Sequence, residues 1–451
     1  MARPLESFGR AVPVSGRAID ADAGIARLAA AHPQAGSLLA YGNGRSYGDS
    51  CQNREGTLID MRARNRILAF DAETGLLEAE AGTLISDIIA HAAPFGYFPA
   101  VVPGTQFVTL GGAIANDVHG KNHHRRGTFG SHVEALTLLR SDGKEHRLSA
   151  VDNSQLFSAT IGGMGLTGLI LAATIRLMRV PSLDIEERAT PFSGLDAFFD
   201  LVEAADAENE YVVAWIDQLA TGRAAGRGVL LVGNHSPHGA RSAGRAGGRL
   251  KVPFAPPLPL IGRPFLSVFN AAYRLAKSRH AGPRQVGYQG FFFPLDGVLD
   301  WNLLYGPKGL HQHQCIVPDD AARIAVPALL RAARSAGQGS FLTVLKRFGH
   351  VASPGLLSFP RPGYTLTLDF PNRGAPTLAL LDRLDAIAID AGGAVNPYKD
   401  ARMSPSVFAA SFPGWRGLEA VRDPAFLSDF WRRTALRLVP SGAKGGNVRA
   451  A

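Results

Sequence analysis

Apolar positions along the chain recur with two periods, and the alternation between them organises the first third. Residues 18–40 (AIDADAGIARLAAAHPQAGSLLA) carry an amphipathic helix, then a short apolar strand that runs into LLAYG. A second strand is predicted at 57–61 (TLIDM), and 67–82 (ILAFDAETGLLEAEAG) reads as two strands around a turn at Glu73–Gly75. Helical spacing over 83–93, with Thr83 as its N-cap, ends at Pro94–Gly96. Residues 132–148 alternate as a hairpin about Asp142–Gly143. Near 179–183 the character changes, and a second unit runs to about 393. Its predicted strands are 214–219, 311–318, 341–349 and 363–371, and its predicted helices 319–336 and 376–393. That order, edged by glycines and prolines, implies an antiparallel sheet with helices on one face. The fold class is read as α+β, with units at 1–183 and 184–393, helices over 394–438, and a small polar tail at 439–451 expected to be disordered.

Composition agrees with two cores. A chain of 451 residues, 46% apolar and 19% charged, is globular and long for a single core. Its two cysteines, Cys51 and Cys315, are too isolated for a disulfide framework or a paired metal motif. The N-terminus lacks a signal-like apolar core, and no run of about 18 uncharged apolar residues occurs, so a soluble, cytoplasmic protein is expected. The net charge of +9 is uneven. Between Asp217 and Asp296 no acid occurs, whereas Arg223, Arg227, Arg241, Arg245, Arg249, Lys251, Arg263, Arg274, Lys277, Arg279 and Arg284 do. Such concentration suggests a local anionic partner. The segment lacks the interleaved aromatics of a nucleic-acid site. Its arginines stand among Phe254, Leu258, Leu260, Ile261, Phe265, Leu266, Val268 and Phe269, which suits an anionic membrane face or a phosphate carrying an isoprenoid tail. A plain solvated loop is the bland alternative.

Two stretches carry the chemistry. Val102 to Gly130, VPGTQFVTLGGAIANDVHGKNHHRRGTFG, sets Gly104, Gly111, Gly112, Gly120, Gly127 and Gly130 among Thr105, Thr109, Asn116, Asp117, His119, Lys121, Asn122, His123 and His124. A structural loop rarely needs that density of donors and titratable groups, and glycines let backbone approach a ligand closely. Tyr41 to Ser50, YGNGRSYGDS, reads the same way, so a cofactor-sized or anionic ligand is implied. Gly163, Gly165 and Gly168 fit GxGxxG, but a helix precedes them and a strand follows, the reverse of a dinucleotide fingerprint. A glycine turn on the cofactor side, entering a strand, stays open.

Each candidate has a bland reading. An arbitrary histidine is more often a satisfied loop residue, yet His119 inside HGKNHH favours function. His119 with His123 and His124 lacks an acidic or cysteine ligand set, so no metal is expected. Lys399, beside Asp400 and Arg402, suits an ion-pair network equally well, and Lys346 a surface. Gln312 and Gln314 alternate to one face of a strand, with His311 and His313 on the other. Asp117 is read as structural.

GNGRSYGDS, the long glycine stretch and IGGMGLTGLI resemble the FAD-binding domain of vanillyl-alcohol-oxidase (PCMH-type) flavoproteins. FFFPLDGVLDWNLLYGPKG, LKRFG, LSFPRPG, LDFP and YKDAR extend the similarity over nearly the whole chain, toward the branch that oxidises polyprenyl-phosphoryl ribose. The resemblance implies FAD between a cofactor domain and an antiparallel-sheet cap, with 394–438 returning to the FAD domain. It implies cofactor contacts at Gly42, Asn43, Gly44, Arg45, Ser46, Tyr47, Gly48, Gly104, Thr109, Gly111, Gly112, Asn116, Val118, His119, Ile170, Asn396 and Lys399. Covalent relatives bond the flavin through a histidine in the first loop. Arg45 matches that position here, so dissociable FAD is expected.

Lys399 is similar to the family lysine near the flavin N1/O2 edge, and His119 is the candidate to take or orient the hydroxyl proton, with a pKa expected in range. Lys346, Gln312, Gln314 and Lys121 match substrate-pocket positions. Two departures stand out. Asn396 occupies the place of a common tyrosine, with Tyr398 beside Lys399, and Thr367 replaces a cysteine of some members. The implied reaction oxidises the 2′-hydroxyl of a polyprenyl-phosphoryl-β-D-ribofuranose to the ketone, a step toward arabinan precursors of the cell envelope. A separate short-chain NAD(P)H-dependent reductase would be the partner. The alternatives are a flavin oxidase of a free sugar, alditol or aldonolactone, and a basic nucleic-acid- or membrane-binding protein without redox activity.

Overall fold

The computed structural model describes residues 5–30, 36–244, 250–279 and 282–439, so the predicted tail, apart from Val439, and the arginines at 245 and 249 lie outside the described residues. The first sheet is small and parallel, with Ala18–Asp20 and Leu38–Tyr41 flanking Thr57–Asp60. Between its outer strands runs helix Ala21–Ala29, begun by Asp20, whose carboxylate accepts from Ala23 N at 2.8 Å.

A second sheet is antiparallel, in the order Ile67–Asp71, Leu76–Glu80, Leu169–Arg179, Val133–Leu139, Glu145–Ser149. Tyr97–Pro99 adds to the far end of Leu169–Arg179. Both expected hairpins form, their turns eased by Gly75 and Gly143 at φ of 73° and 79°. The helix expected from 83 begins later, as Ile85–Ala92, and Thr83 does not cap it. Thr83 is buried instead, its hydroxyl donating to Arg66 O (3.3 Å) and its carbonyl accepting from Leu110 N (2.7 Å). A residue that looks like a cap in sequence thus ties the turn to the long glycine stretch.

The third sheet has eight strands with antiparallel neighbours, ordered Arg284–Val286, Ile185–Phe192, Gly228–His235, Tyr211–Ile216, Val344–Phe348, Gly363–Pro371, Leu310–Val317, Ala394–Val395. Strand alternation splits its faces. Val212, Ala214, Ile216 and Leu230 pack with helices Leu195–Glu208, Asp319–Ser335 and Ala375–Asp390 in the largest core. Val213, Trp215, Val229 and Leu231 point the other way, onto Tyr273 of helix Arg263–Ser278. Helices were expected on one face only. Arg263–Ser278 departs from that because the second face of these strands is itself apolar.

The C-terminal segment reaches back to the first sheet. Leu38 N donates to Ala425 O (2.7 Å), Leu427 N donates to Leu38 O (2.9 Å), and Arg54 pairs with Asp429 at 2.9 Å. Leu39, Tyr41 and Leu58 of the first sheet share the core of the third. Arg433 bridges Asp49, after the first glycine stretch, to Asp400. That stretch also lies directly on 398–401. Tyr47 N donates to Tyr398 O (3.3 Å), and a Cβ at Gly48 would collide with the Asp400 carbonyl oxygen. Gly48 has an ordinary φ of −114°, so space alone demands glycine there.

Gly48→Ala is therefore expected to destabilise the fold by about 1–3 kcal/mol, the usual cost of overpacking. Gly104→Ala, whose Cβ meets nothing within 4 Å, should leave the melting temperature unchanged. Thermal denaturation of the two variants side by side checks the contrast.

Candidate active site

The two glycine stretches converge. Asn43 Nδ2 donates to Phe107 O (2.7 Å), and a Cβ at Gly42 would collide with the Thr109 hydroxyl. Thr109 caps the short helix Leu110–Ala115 by accepting from Gly112 N (3.2 Å), and Asn116 closes it by donating to Gly112 O (2.9 Å). Between these loops and the third sheet lies a cavity of about 540 Å³, a size suited to a cofactor and substrate.

One side of the wall is Gly42, Asn43, Gly44, Arg45, Ser46, Tyr47, Gly104, Thr109, Gly111, Gly112, Asn116, Val118 and Ile170. The other is Gln312, Gln314, Lys346, Asn396 and Lys399, with His119 and Lys121 between. Gly48, expected on this wall, is absent from it and serves the packing on Asp400 instead. The helix-start amides are engaged within the protein. Gly111 N donates to Ala81 O (2.8 Å) and Gly112 N to Thr109, so neither is directed at a phosphate. The missing side chain of Gly111 instead brings the helix against Ala81, and that of Gly112 leaves room for the Thr109 hydroxyl. Gly165 and Gly168 line the cavity, and Gly168, at φ 146°, feeds strand Leu169–Arg179. The GxGxxG match is thus a turn on the cavity wall that leads into a strand.

Electrostatics distinguish the cavity from an ordinary cleft. Lys121, Lys346 and Lys399 all stand half-buried around it. Burial brings Lys121 down to about 7, and burial together with the charges of Lys121 and Lys399 brings Lys346 to about 7. Lys346 Nζ donates to Gly120 O at 3.3 Å. Lys121 Nζ donates to Phe291 O and lies 4.6 Å from the centroid of that ring.

His119 departs from expectation. Burial first, then Lys346, His123 and Lys399, hold its imidazole well below the ordinary histidine range, so it is neutral at physiological pH. Gln314 Nε2 lies 3.1 Å from His119 Nε2 and donates to Thr365 Oγ1 (3.0 Å), while Gln314 Oε1 accepts from Asn396 Nδ2 (2.9 Å). With its amide so fixed, Gln314 donates to Nε2, which leaves the proton of the neutral ring on Nδ1. His123 packs on Phe348 (4.4 Å), a ring that His119 also meets (4.9 Å), whereas His124 Nε2 meets Asn209 O (3.0 Å).

Sequence reasoning missed several wall and near-wall residues. Trp215 and Tyr273 meet at 4.9 Å and close the cavity on the third-sheet side. Asp296 accepts from Gln106 N (2.9 Å). Asp369, paired in register with Gln312, lies behind the wall. A lone acid inside GYTLTLDFP was the available signal for Asp369. Trp215 gave none, because its strand is buried on both faces. The basic span is also less free than its composition suggests. Arg227 pairs with Asp217 (2.8 Å), and Lys277 and Arg284 both pair with Glu187 (2.8 and 2.6 Å), acids from outside the span.

The residues present fit a flavin dinucleotide: close-packed glycine backbone, cations on several sides, and a buried Gln312 Oε1 that carries no hydrogen bond. A lysine whose folded pKa lies below its unfolded value weakens the fold fully below the lower pKa, and the loss fades as pH rises toward the higher one. The FAD-free protein should accordingly gain stability between about pH 7 and 10. Lys346→Met should raise its melting temperature at pH 7 and flatten that climb, read by differential scanning fluorimetry.

Residues 18–149 match the family model of a FAD binding domain. The chain is 36% identical over 417 residues to the decaprenylphosphoryl-beta-D-ribose oxidase of Mycolicibacterium smegmatis, covering 88% of this chain and 89% of the relative. It is also 36% identical over 365 residues to an uncharacterized protein in the mprA 5′ region of Streptomyces coelicolor, covering 76% and 97%. L-Gulonolactone oxidase of Mus musculus is 30% identical over 185 residues, 41% of each chain. Glycine loops, buried cations and near-complete alignment agree: the chain belongs to the family of FAD-dependent oxidoreductases that includes decaprenylphosphoryl-beta-D-ribose oxidase.

Proposed function

We propose that this enzyme oxidises the 2′-hydroxyl of a polyprenyl-phosphoryl-β-D-ribofuranose to the 2′-ketone, in preparation for reduction to the arabinose epimer by a separate short-chain NAD(P)H-dependent reductase. Residues 1–183 act as the FAD domain and 184–393 as the substrate cap, with 394–438 completing the first. The carrying observation is a single cavity in which the glycine loops face Lys346, Lys399, Gln312 and Gln314 of the opposite wall. Gly42–Tyr47, Gly104, Thr109, Asn116, Val118 and Ile170 hold FAD, without a covalent bond because Arg45 offers no nucleophile. Bound FAD supplies the hydride acceptor.

The chain's own groups do the rest. Lys121 and Lys346 attract the anionic substrate, and Gln312 and Gln314 orient the sugar hydroxyls. His119, neutral and fixed by Gln314, aligns the reacting hydroxyl rather than acting as a strong base. Lys399 supplies the cation at the flavin's pyrimidine edge. Trp215 and Tyr273 keep water out.

The lipid reading of the basic span is supported in altered form. Ile261 and Leu266 are buried, but Phe254, Leu258, Leu260, Phe265 and Val268 are exposed, and Lys251 and Tyr273 of the same region line the cavity. An apolar tail leaving the cavity there meets an apolar ridge, at an anionic membrane surface. No helix among the described residues is long and apolar enough to cross a membrane.

His119→Ala and Lys399→Ala should each lower turnover of polyprenyl-phosphoryl ribose by roughly 100-fold or more while the protein stays yellow and releases its FAD on acid precipitation. Equal turnover of free pentoses, alditols or aldonolactones by the unaltered enzyme would assign it to the free-sugar oxidases instead. At low salt the protein should float with anionic liposomes and not with neutral ones. Absence of any flotation removes the membrane part of the proposal.

A further inference from the structure

His119 carries its proton on Nδ1 because Gln314 presents an N–H to Nε2, and what turns the Gln314 amide that way round has no role above. Gln314 is buried and has no spare capacity. Its Oε1 accepts from Asn396 Nδ2 (2.9 Å), and its Nε2 donates to Thr365 Oγ1 (3.0 Å) and lies 3.1 Å from His119 Nε2. The end of the amide that meets His119 decides what the imidazole can do. An amide N–H there needs a bare ring nitrogen, whereas an amide oxygen needs a ring N–H. Thr365 does not choose, because a hydroxyl can donate or accept. The choice is made on the other side, by Asn396.

Asn396 Oδ1 accepts from the backbone N–H of Tyr398 (2.9 Å), a group that can only donate. That contact leaves Nδ2 as the end turned toward Gln314. Asn396 is held in place, since its own N donates to Gln314 O (2.8 Å) and Ala394–Val395 just before it pairs with Leu310–Val317. Tyr398 is pinned in turn. Its hydroxyl donates to Gly162 O (2.9 Å), and its carbonyl accepts from Tyr47 N (3.3 Å). Asn396, Gln314 and Thr365 are all buried, so an amide turned the wrong way would set two donors or two acceptors face to face with no solvent to relieve them.

We propose that Asn396 is a positioning residue for His119: through Gln314 it carries the polarity of the Tyr398 backbone amide across the wall and so dictates which ring nitrogen holds the proton. The Nε2 lone pair is then spent inside the wall. Any hydrogen bond between the ring and the substrate is one that His119 donates, and the ring keeps no free lone pair with which to take the hydroxyl proton. Gln314 is then more than a substrate contact, because it is the link through which Asn396 acts.

The part this plays in catalysis rests on the flavin reading of the cavity, whereas the place of the proton on the ring does not, and FAD absorbance separates the two. The test is the nitrogen NMR spectrum of protein carrying isotope-labelled histidine, with the His119 signals identified by their loss in His119→Ala. The unaltered protein should show a protonated Nδ1 and a bare Nε2. Asn396→Asp presents Gln314 with an acceptor in place of a donor, so the Gln314 amide should turn over and His119 Nε2 should gain a proton. Gln314→Glu sets an acceptor against His119 directly and should do the same. Turnover gives a second readout. Asn396→Asp should lower kcat by about tenfold, the worth of one hydrogen bond, with KM little changed, and should cost nothing further in the His119→Ala background. An Nε2 that is protonated in the unaltered protein, one that stays bare in Asn396→Asp, or a loss of kcat of equal size in the two backgrounds overturns the proposal with FAD still bound. A protein that takes up no FAD overturns the reading of the cavity and leaves the ring signals to decide the rest. If Asn396→Asp does not fold, Gln314→Glu decides by the same signals.

Discussion

The structure is built around a difficulty: several half-buried ammonium groups are gathered at one place. Moving a cation from solvent into a protein interior costs several kcal/mol even after relaxation. Here Lys346 sits among the like charges of Lys121 and Lys399. A carbonyl on each of Lys346 and Lys121 and the Phe291 ring repay part of this locally, and the surrounding scaffold supplies the rest. It does so with a continuous apolar core behind the third sheet and with buried ion pairs such as Arg433 between Asp49 and Asp400. A fold that gathers such a cluster on one wall is preorganised for an anionic ligand, since the reorganisation has been completed in advance.

The loops that carry the cluster are fixed by groups that look minor in sequence. Asp117, at φ 40°, accepts from Gly130 N (2.8 Å) and from the hydroxyls of Ser353 and Ser358 (2.5 Å each). Two residues before His119, it clamps the long glycine stretch to the loop that follows Lys346 and Phe348. The positive φ is affordable only because three donors converge on one buried carboxylate. Gln314 does the corresponding task across the cavity, joining His119, Thr365 and Asn396.

Much of this was legible beforehand. Periodicity located the hairpins at 67–80 and 133–149, because short-range alternation and turn glycines act locally. The glycine stretches announced a ligand, and Gln312 and Gln314 were placed correctly on one strand face. What was illegible depends on partners far away in sequence. Thr83 resembles a cap until Arg66 and Leu110 occupy it. His119 has an ordinary pKa until burial, and then the charges of Lys346 and Lys399 from the opposite wall, lower it. The acid-free span looks like a free basic patch until Glu187 and Asp217 reach into it. Composition counts charges along a line, whereas the field is summed in space.

Leu39, Tyr41 and Leu58 lie in the same apolar core as the third sheet. A clamshell motion separating the two walls of the cavity would have to expose that core, and protein interiors do not stretch continuously. Lys251, Tyr273 and Leu299 line the cavity outside that core, so side chains there can shift for cofactor and substrate without breaking the interior. That edge is thus mechanically independent of the chamber it serves, and its shape can change in evolution while the interior stays the same.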